Sequence, residues 1–276
     1  MVTSKNNQLY TTLNNGIQMP LLGLGAYDMH GEEAVKAVQQ ALEIGYRLID
    51  TAEMYGNEKA VGDAIANSNI SREEIFITSK VNNTSQGYDE TLKAFDRSLK
   101  LLGVEYLDLY LIHWPIKGKR QDTWKAIEKI YSEGRTKAIG TGNYLLPFLK
   151  ELESYSSIVP AVNQIEFNPY LFLKNELDYC KTKKIQLQAY TPLLRGKKFN
   201  DPRLISLGKK YGKTPAQIIL RWAIQQEISS IPKSSNINRL MENFDIFNFS
   251  IEAADIIFIS SFDEQLRIID DPMLMY

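Results

Sequence analysis

Four side chains of this 276-residue chain have types and positions that could together deliver a proton to an oxygen atom. Asp50, Lys80 and His113 each close an apolar run, and Tyr55 follows Asp50 by five residues. A carboxylate can hold an ammonium in place by ion pairing. An ammonium beside a phenol stabilises the phenolate and lowers a pKa that is ordinarily about 10. An imidazole can hydrogen-bond and orient the oxygen that receives the proton. Other runs contribute Asn143 (after Thr141-Gly142), Gln164, Tyr190 and the pair Lys233-Ser234. Taken singly, each has an ordinary structural explanation. An Asp at a strand end caps a turn, Tyr55 is one of 15 tyrosines, Lys80 suits a solvated surface and His113 suits a core. Only a fold that gathers the run ends in one place makes them a site.

The elements that must position them are legible as a rhythm. Eight short apolar, β-rich runs cover residues 21–26, 46–50, 75–80, 107–113, 137–142, 161–166, 185–190 and 228–232. Amphipathic helical patterns lie between them, at 32–43, 58–66, 89–102, 123–132, 174–182 and 215–225. In the first of these Val35, Val38, Ala41 and Leu42 fall on one helical face. The runs are nearly continuous in apolar residues, as in Leu107-Asp108-Leu109-Tyr110-Leu111-Ile112, which suits parallel strands covered by helices. Eight such units in this length predict a closed (β/α)8 TIM barrel, with the polar run ends meeting at its C-terminal mouth. Residues 9–13 and 17–20, joined by Asn14-Asn15-Gly16, predict a β-hairpin over the barrel bottom. No low-complexity linker or composition break divides residues 1–276, so one domain is expected.

Composition excludes several alternatives. Hydrophobic residues make up 44% and charged residues 24%, with Lys plus Arg at 32 against Asp plus Glu at 33. That balance provides no electrostatic footprint for nucleic acid or an anionic membrane. One cysteine, Cys180, and two histidines, His30 and His113, rule out an intramolecular disulfide and argue against a structural zinc site. His30 reads as a surface residue and Cys180 as a small buried hydrophobe. No apolar run approaches the roughly 20 residues of a membrane span. The first residues lack a signal-peptide pattern, so the expectation is a cytoplasmic enzyme without metal, acting on a small molecule as a monomer or weak dimer.

Gly23-Leu24-Gly25 and Gly140-Thr141-Gly142 begin like dinucleotide fingerprints, but neither has the third glycine or the spacing to an acidic ribose ligand. A nucleotide, if bound, is not held in the Rossmann manner. Five other segments carry a clearer signal. They are 45–58, with Asp50-Thr51-Ala52-Glu53-Met54-Tyr55-Gly56-Asn57-Glu58; 76–81, with Ser79-Lys80-Val81; 109–115, with Ile112-His113-Trp114-Pro115; Val162-Asn163-Gln164-Ile165-Glu166; and Ile231-Pro232-Lys233-Ser234 continuing to Arg239, Glu242 and Asn243. In order and spacing, over nearly the whole chain, these resemble the aldo-keto reductases, in particular the microbial branch with diketogluconate and methylglyoxal reductases. The resemblance implies NADP(H)-dependent reduction of a small carbonyl substrate to an alcohol, with Asp50, Tyr55, Lys80 and His113 as catalytic tetrad. Asn143 and Gln164 then hydrogen-bond the nicotinamide carboxamide and Tyr190 stacks on its ring. Lys233, Ser234 and Arg239 clamp the 2′-phosphate, which two cations and a hydroxyl suit, and Glu242 and Asn243 lie near the adenine.

The chain departs from the family pattern in places. Gly142 stands where a serine is usual, Asn82 where a tryptophan is frequent, and Tyr27 where another is. The substrate wall is expected from Tyr27, Met54, Asn82 and Trp114, and the short segments at 115–121 and 270–276 imply an open, undiscriminating site. The rival readings are a cofactor-binding regulatory protein and a structural protein on the same barrel; the intact tetrad argues against the structural one, and turnover of NADPH with a panel of aldehydes separates the regulatory one.

Overall fold

A computed structural model describes residues 2–3 and 8–275. Strands β1 (Val2–Thr3), β2 (Leu9–Thr12) and β3 (Gln18–Pro20) form a small antiparallel sheet. Eight parallel strands follow in chain order: β4 (Leu24–Gly25), β5 (Leu48–Asp50), β6 (Phe76–Val81), β7 (Leu109–Ile112), β8 (Ile139–Gly142), β9 (Val162–Glu166), β10 (Gln186–Tyr190) and β11 (Ser229–Ser230). The sheet closes on itself where Leu22 bridges to Ser230, with Gly23 N–H donating to the Ser230 carbonyl at 2.9 Å. The result is the expected (β/α)8 barrel.

Among the described residues ten α-helices surround it: α1 (Gly31–Ile44), α2 (Glu58–Ala66), α3 (Tyr88–Leu102), α4 (Arg120–Ser132), α5 (Leu146–Glu153), α6 (Lys174–Lys183), α7 (Pro202–Tyr211), α8 (Pro215–Gln225), α9 (Ile237–Phe244) and α10 (Ala253–Ser260). The buried stripe of α1 is Ala34, Ala37, Val38, Ala41 and Leu42, the i, i+3, i+4 face its sequence carries. Mostly small residues let the helix lie close to the strands.

The hairpin plugs the barrel floor. Leu13 and Met19 pack with Leu48, Leu109, Leu111 and Val162, and Asn14 and Asn15 side chains donate to the Pro160 and Lys137 carbonyls at the entry ends of two strands. This apolar layer lies below the polar mouth. Leu111 is fully buried, and truncating such a residue costs about 2–5 kcal/mol. Most strands are shorter than their apolar runs predict, two of them by more than half. Of residues 21–26 only Leu24–Gly25 form a regular ladder, and of 228–232 only Ser229–Ser230. They meet at the closing seam, where isolated bonds replace a continuous ladder.

Candidate active site

The C-terminal ends of the strands and the turn after β5 bring Asp50, Tyr55 and His113 together around Lys80. This lysine sits on β6, wholly buried, and donates to Asp50 Oδ1 at 2.6 Å, the Thr51 carbonyl at 2.9 Å and Tyr55 Oη at 3.2 Å. Asp50, the last residue of β5, uses its second oxygen to accept from Gln164 Nε2 at 2.7 Å. Burial pushes the Lys80 pKa below 10.5 and that of Asp50 upward, and each is held in its charged form chiefly by the other.

Tyr55 comes from no strand. It ends a 3-10 turn, Glu53–Tyr55, that Gly56 closes in the left-handed region at φ 63°. Its ring packs edge-on against Tyr27 and His113, with centroids 5.2 and 5.5 Å away. The ring is partly exposed while its hydroxyl lies deep. Burial, then Asp50 and Tyr27, push the phenol well above 10. The sequence predicts a phenol lowered by the neighbouring ammonium, and the structure corrects that. Desolvation outweighs the single cation, whose charge Asp50 already offsets, so Tyr55 is held as the neutral phenol.

His113 follows β7 directly and is buried. Burial, then the Lys80 charge, push its pKa well below 6.5, so it is a neutral imidazole. Its Nδ1 is buried without a hydrogen-bond partner. Its carbonyl accepts from Asn143 Nδ2 at 2.9 Å, and Asn143 Oδ1 accepts from Tyr190 Oη at 2.6 Å. Asn143 reaches both by adopting φ 63°. Gly142 before it has a backbone reason: a Cβ there would lie 2.7 Å from the His113 carbonyl oxygen and 2.8 Å from that of Ile112.

The residues matched to a dinucleotide are placed in two groups. Gln164 spends both amide hydrogens, on Asp50 and on Gln188 Oε1 at 2.7 Å, so its oxygen is the atom those bonds leave for an incoming N–H. Tyr190 ends β10. Around the bend after β11, Lys233 and Arg239 are exposed and enter no salt bridge among the described residues, while Ser234 is buried and accepts from Asn236 N–H. Asn236 caps the N-terminus of α9. The Asn236 side chain already accepts from the backbone N–H groups of Asn238 and Arg239, so a phosphate there depends on the side-chain cations. Glu242 accepts from Thr214 Oγ1 at 2.6 Å, tying α9 to the start of α8, and Asn243 is buried beside it. These donors fit a phosphorylated dinucleotide: two uncommitted cations at one end, and amide groups with a spare acceptor at the other.

Of the expected wall residues, Tyr27 and Met54 are exposed, Trp114 is buried and Asn82 is intermediate. Several functional-looking residues escape the sequence reading. Gln188 links Gln164 to Ser229, Gln86 holds the Trp114 carbonyl at 2.7 Å, and Glu166 accepts from Ile268 and Ile269 N–H, drawing the C-terminal segment to the mouth. Asn57 accepts from Thr51 Oγ1 and donates to the Ala26 and Met29 carbonyls. Only Glu166 and Asn57 lie within the quoted motifs, which is the one signal that could have flagged them. His30 is exposed and Cys180 buried, as expected. No cluster of three or more His, Cys, Asp or Glu suited to a metal occurs among the described residues, and no described helix is long and apolar enough to cross a membrane.

A closed parallel barrel whose strand ends gather an ion pair, a phenol and an imidazole has the build of a (β/α)8 enzyme. The particular family follows from comparison: the chain belongs to the aldo/keto reductase family, whose model matches residues 21–264, and is thereby an oxidoreductase. It is 46% identical over 261 residues to the glyoxal reductase of Bacillus subtilis, covering 94% of this chain and 95% of that protein. An aldo-keto reductase from a Medee basin deep-sea metagenome library superposes with a TM-score of 0.92 at 45% identity, covering 95% of this chain and 97% of that one. An aldo-keto reductase of Bombyx mori, solved in complex with NADP, superposes with a TM-score of 0.90 at 34% identity, covering 95% of each chain.

Proposed function

We propose that this chain, acting as one barrel domain, uses NADPH to reduce small aldehydes and reactive ketones to alcohols, with Tyr55 as proton donor. The observation that carries the reading is the buried Lys80 ammonium bonded at once to Asp50 and to the Tyr55 hydroxyl. Bound NADPH supplies the hydride that the carbonyl carbon accepts. Lys233, Ser234 and Arg239 would hold its 2′-phosphate, Asn143 and Gln164 its carboxamide, Tyr190 its ring, and Glu242 and Asn243 the adenine end.

The chain's own residues handle the oxygen. As the carbonyl carbon is reduced, negative charge grows on the oxygen and a proton must reach it. Tyr55 is neutral when the substrate arrives, because its hydroxyl is buried. Once it gives up that proton, Lys80 at 3.2 Å stabilises the phenolate left behind. Asp50 keeps Lys80 charged and aimed. His113 is neutral, and placing its proton on Nε2 leaves no buried N–H unpaired, since Nδ1 has no partner. Nε2–H is then the donor that orients the substrate oxygen. Tyr27, Met54, Asn82 and Trp114 form the wall, which favours unhindered, electrophilic substrates.

Purified protein should oxidise NADPH when given short aldehydes and 1,2-dicarbonyl compounds, with NADH a poor substitute. Tight NADPH binding without turnover on any such compound would overturn the proposal.

A further inference from the structure

We infer that Glu53 is a positioning residue for the proton donor, a role that rests on the reading of Tyr55 above. The turn Glu53–Tyr55 is three residues long and makes few bonds of its own: Tyr55 N–H to the Ala52 carbonyl at 3.0 Å and Gly56 N–H to that of Glu53 at 3.2 Å. Single 3-10 turns have poor hydrogen-bond geometry and do not hold a side chain firmly by themselves. The neighbouring Met54 is exposed, so the turn is not seated by burial there either.

Glu53 supplies what the turn lacks. Its carboxylate Oε2 accepts from the backbone N–H of Asn82 at 3.0 Å, and Oε1 accepts from Ser85 Oγ at 3.0 Å and Arg97 Nη2 at 2.9 Å. Asn82 is two residues beyond Lys80 on the same chain segment, just past the end of β6. One side chain therefore ties the turn that carries Tyr55 to the strand that carries Lys80. The Lys80–Tyr55 contact is the longest of the three bonds that Lys80 makes. It is the one most easily lost by a small shift of the turn. On the far side Asn57 pins the chain just after Tyr55 to Thr51, Ala26 and Met29, so the phenol lies between two side-chain clamps. Asn57 is buried with neutral partners and serves the fold generally. Glu53 is partly exposed, charged, and directed at the segment leaving the lysine.

The carboxylate also organises the wall. By fixing the Asn82 backbone it sets the start of the loop at 82–87, so proton donor and substrate wall share one anchor.

The test compares Glu53→Ala, Glu53→Gln, Arg97→Ala and Tyr55→Phe in the full chain, with NADPH and a short aldehyde. A shift of about 1 Å in a reacting group is worth up to about 100-fold in rate. Glu53→Ala should lower kcat by about tenfold to 100-fold on that scale, with NADPH affinity within about twofold of wild type. Its solvent deuterium isotope effect on kcat should rise, because proton transfer becomes slower. A loss of packing alone would not produce that change. Glu53→Gln keeps an acceptor for Asn82 N–H and should recover most of the loss. Arg97→Ala removes the exposed partner and should stay within about twofold, the scale of a surface ion pair. The inference is overturned if Glu53→Ala keeps kcat within twofold, if its loss comes with an unchanged isotope effect, or if Glu53→Gln is as slow as Glu53→Ala while folded. The control separates the two readings: a fully active Tyr55→Phe sinks the proton-donor assignment itself, whereas an inactive Tyr55→Phe beside an unaffected Glu53→Ala sinks only the role of Glu53.

Discussion

Replacing Asp50 with Asn removes one charge and almost no volume from the floor of the site. Lys80 has three acceptors, and two of them, the Thr51 carbonyl and the Tyr55 hydroxyl, are neutral. Asp50 is thus the counter-charge, at 2.6 Å, for an ammonium with no solvent exposure. The new amide also sets an NH2 group against Gln164 Nε2, donor to donor, where a carboxylate oxygen accepted at 2.7 Å. Removing one partner of a buried pair costs about 3–5 kcal/mol, and Asp50→Asn should lose about that much stability near pH 7. The pH dependence then identifies the cause. Burial lowers the Lys80 pKa and Asp50 raises it again, so without Asp50 the folded-state value falls further. In the unfolded chain a lysine titrates near 10.4. Between the variant's folded value and that of the wild type, only the variant binds an extra proton on unfolding. Its stability therefore rises with pH relative to wild type, by up to about 1.4 kcal/mol per unit. Urea denaturation of both proteins at pH 6.5, 8 and 9.5 measures this. The deficit should shrink toward alkaline pH. A variant as stable as wild type at neutral pH, or a deficit that grows with pH, would refute the argument that Asp50 is what keeps a buried Lys80 charged.

Four further outcomes follow. Lys80→Met should abolish turnover more completely than Asp50→Asn, since it deletes the cation that stabilises the phenolate; steady-state rates of both variants check the order. Arg239→Ala should weaken NADPH binding about tenfold or more and leave NADH nearly unchanged, because a charge-assisted contact is worth roughly 1.5–3 kcal/mol; fluorescence titration with each cofactor reads this directly. His113 is neutral when folded, whereas an unfolded histidine charges near pH 6.5, so the unfolded state takes up the proton and stability falls as pH drops through and below that value. His113→Gln should remove this component, seen as the wild type losing more stability than the variant between pH 7.5 and 5.5. Asn82→Trp should narrow the range of aldehydes accepted by adding a wall; wild type should keep kcat/KM values for several small aldehydes within about two orders of magnitude, since apolar contacts discriminate by only ~1–3 kcal/mol per methylene.

The barrel was legible because its strands are buried on both faces and read as unbroken apolar runs. Asp50, Lys80 and His113 were found by the same means, as polar residues at or just beyond the strand ends. The helices at 202–211 and 237–244 carry readable signals that the apolar periodicity alone did not use: an Asp201 cap with Pro202 in the first turn and Gly212 beyond the end, and an Asn236 cap. The helix at 146–153 starts after Leu145 with no side-chain cap, and that at 253–260 presents apolar residues on its open face, including Ile257 at 71% exposure, so neither offers a clean pattern. Within the site, what sequence does not reveal is who bonds to whom. Glu53, Gln188 and Asn143 act through partners 24 to 47 residues away, and the direction of the Tyr55 pKa depends on depth, which no motif encodes.

In the proposed reaction Tyr55 hands a proton to the substrate oxygen while doing nothing to hold the cofactor. Tyr55→Phe removes one oxygen atom and keeps the ring contacts with Tyr27 and His113. Measuring NADPH affinity by titration and kcat with a short aldehyde on the same preparation tests the claim most directly. Affinity should be unchanged and kcat lower by on the order of 10²–10⁴-fold, the usual contribution of a general acid. A variant that keeps more than about a tenth of wild-type kcat, a loss far below that range, would contradict it.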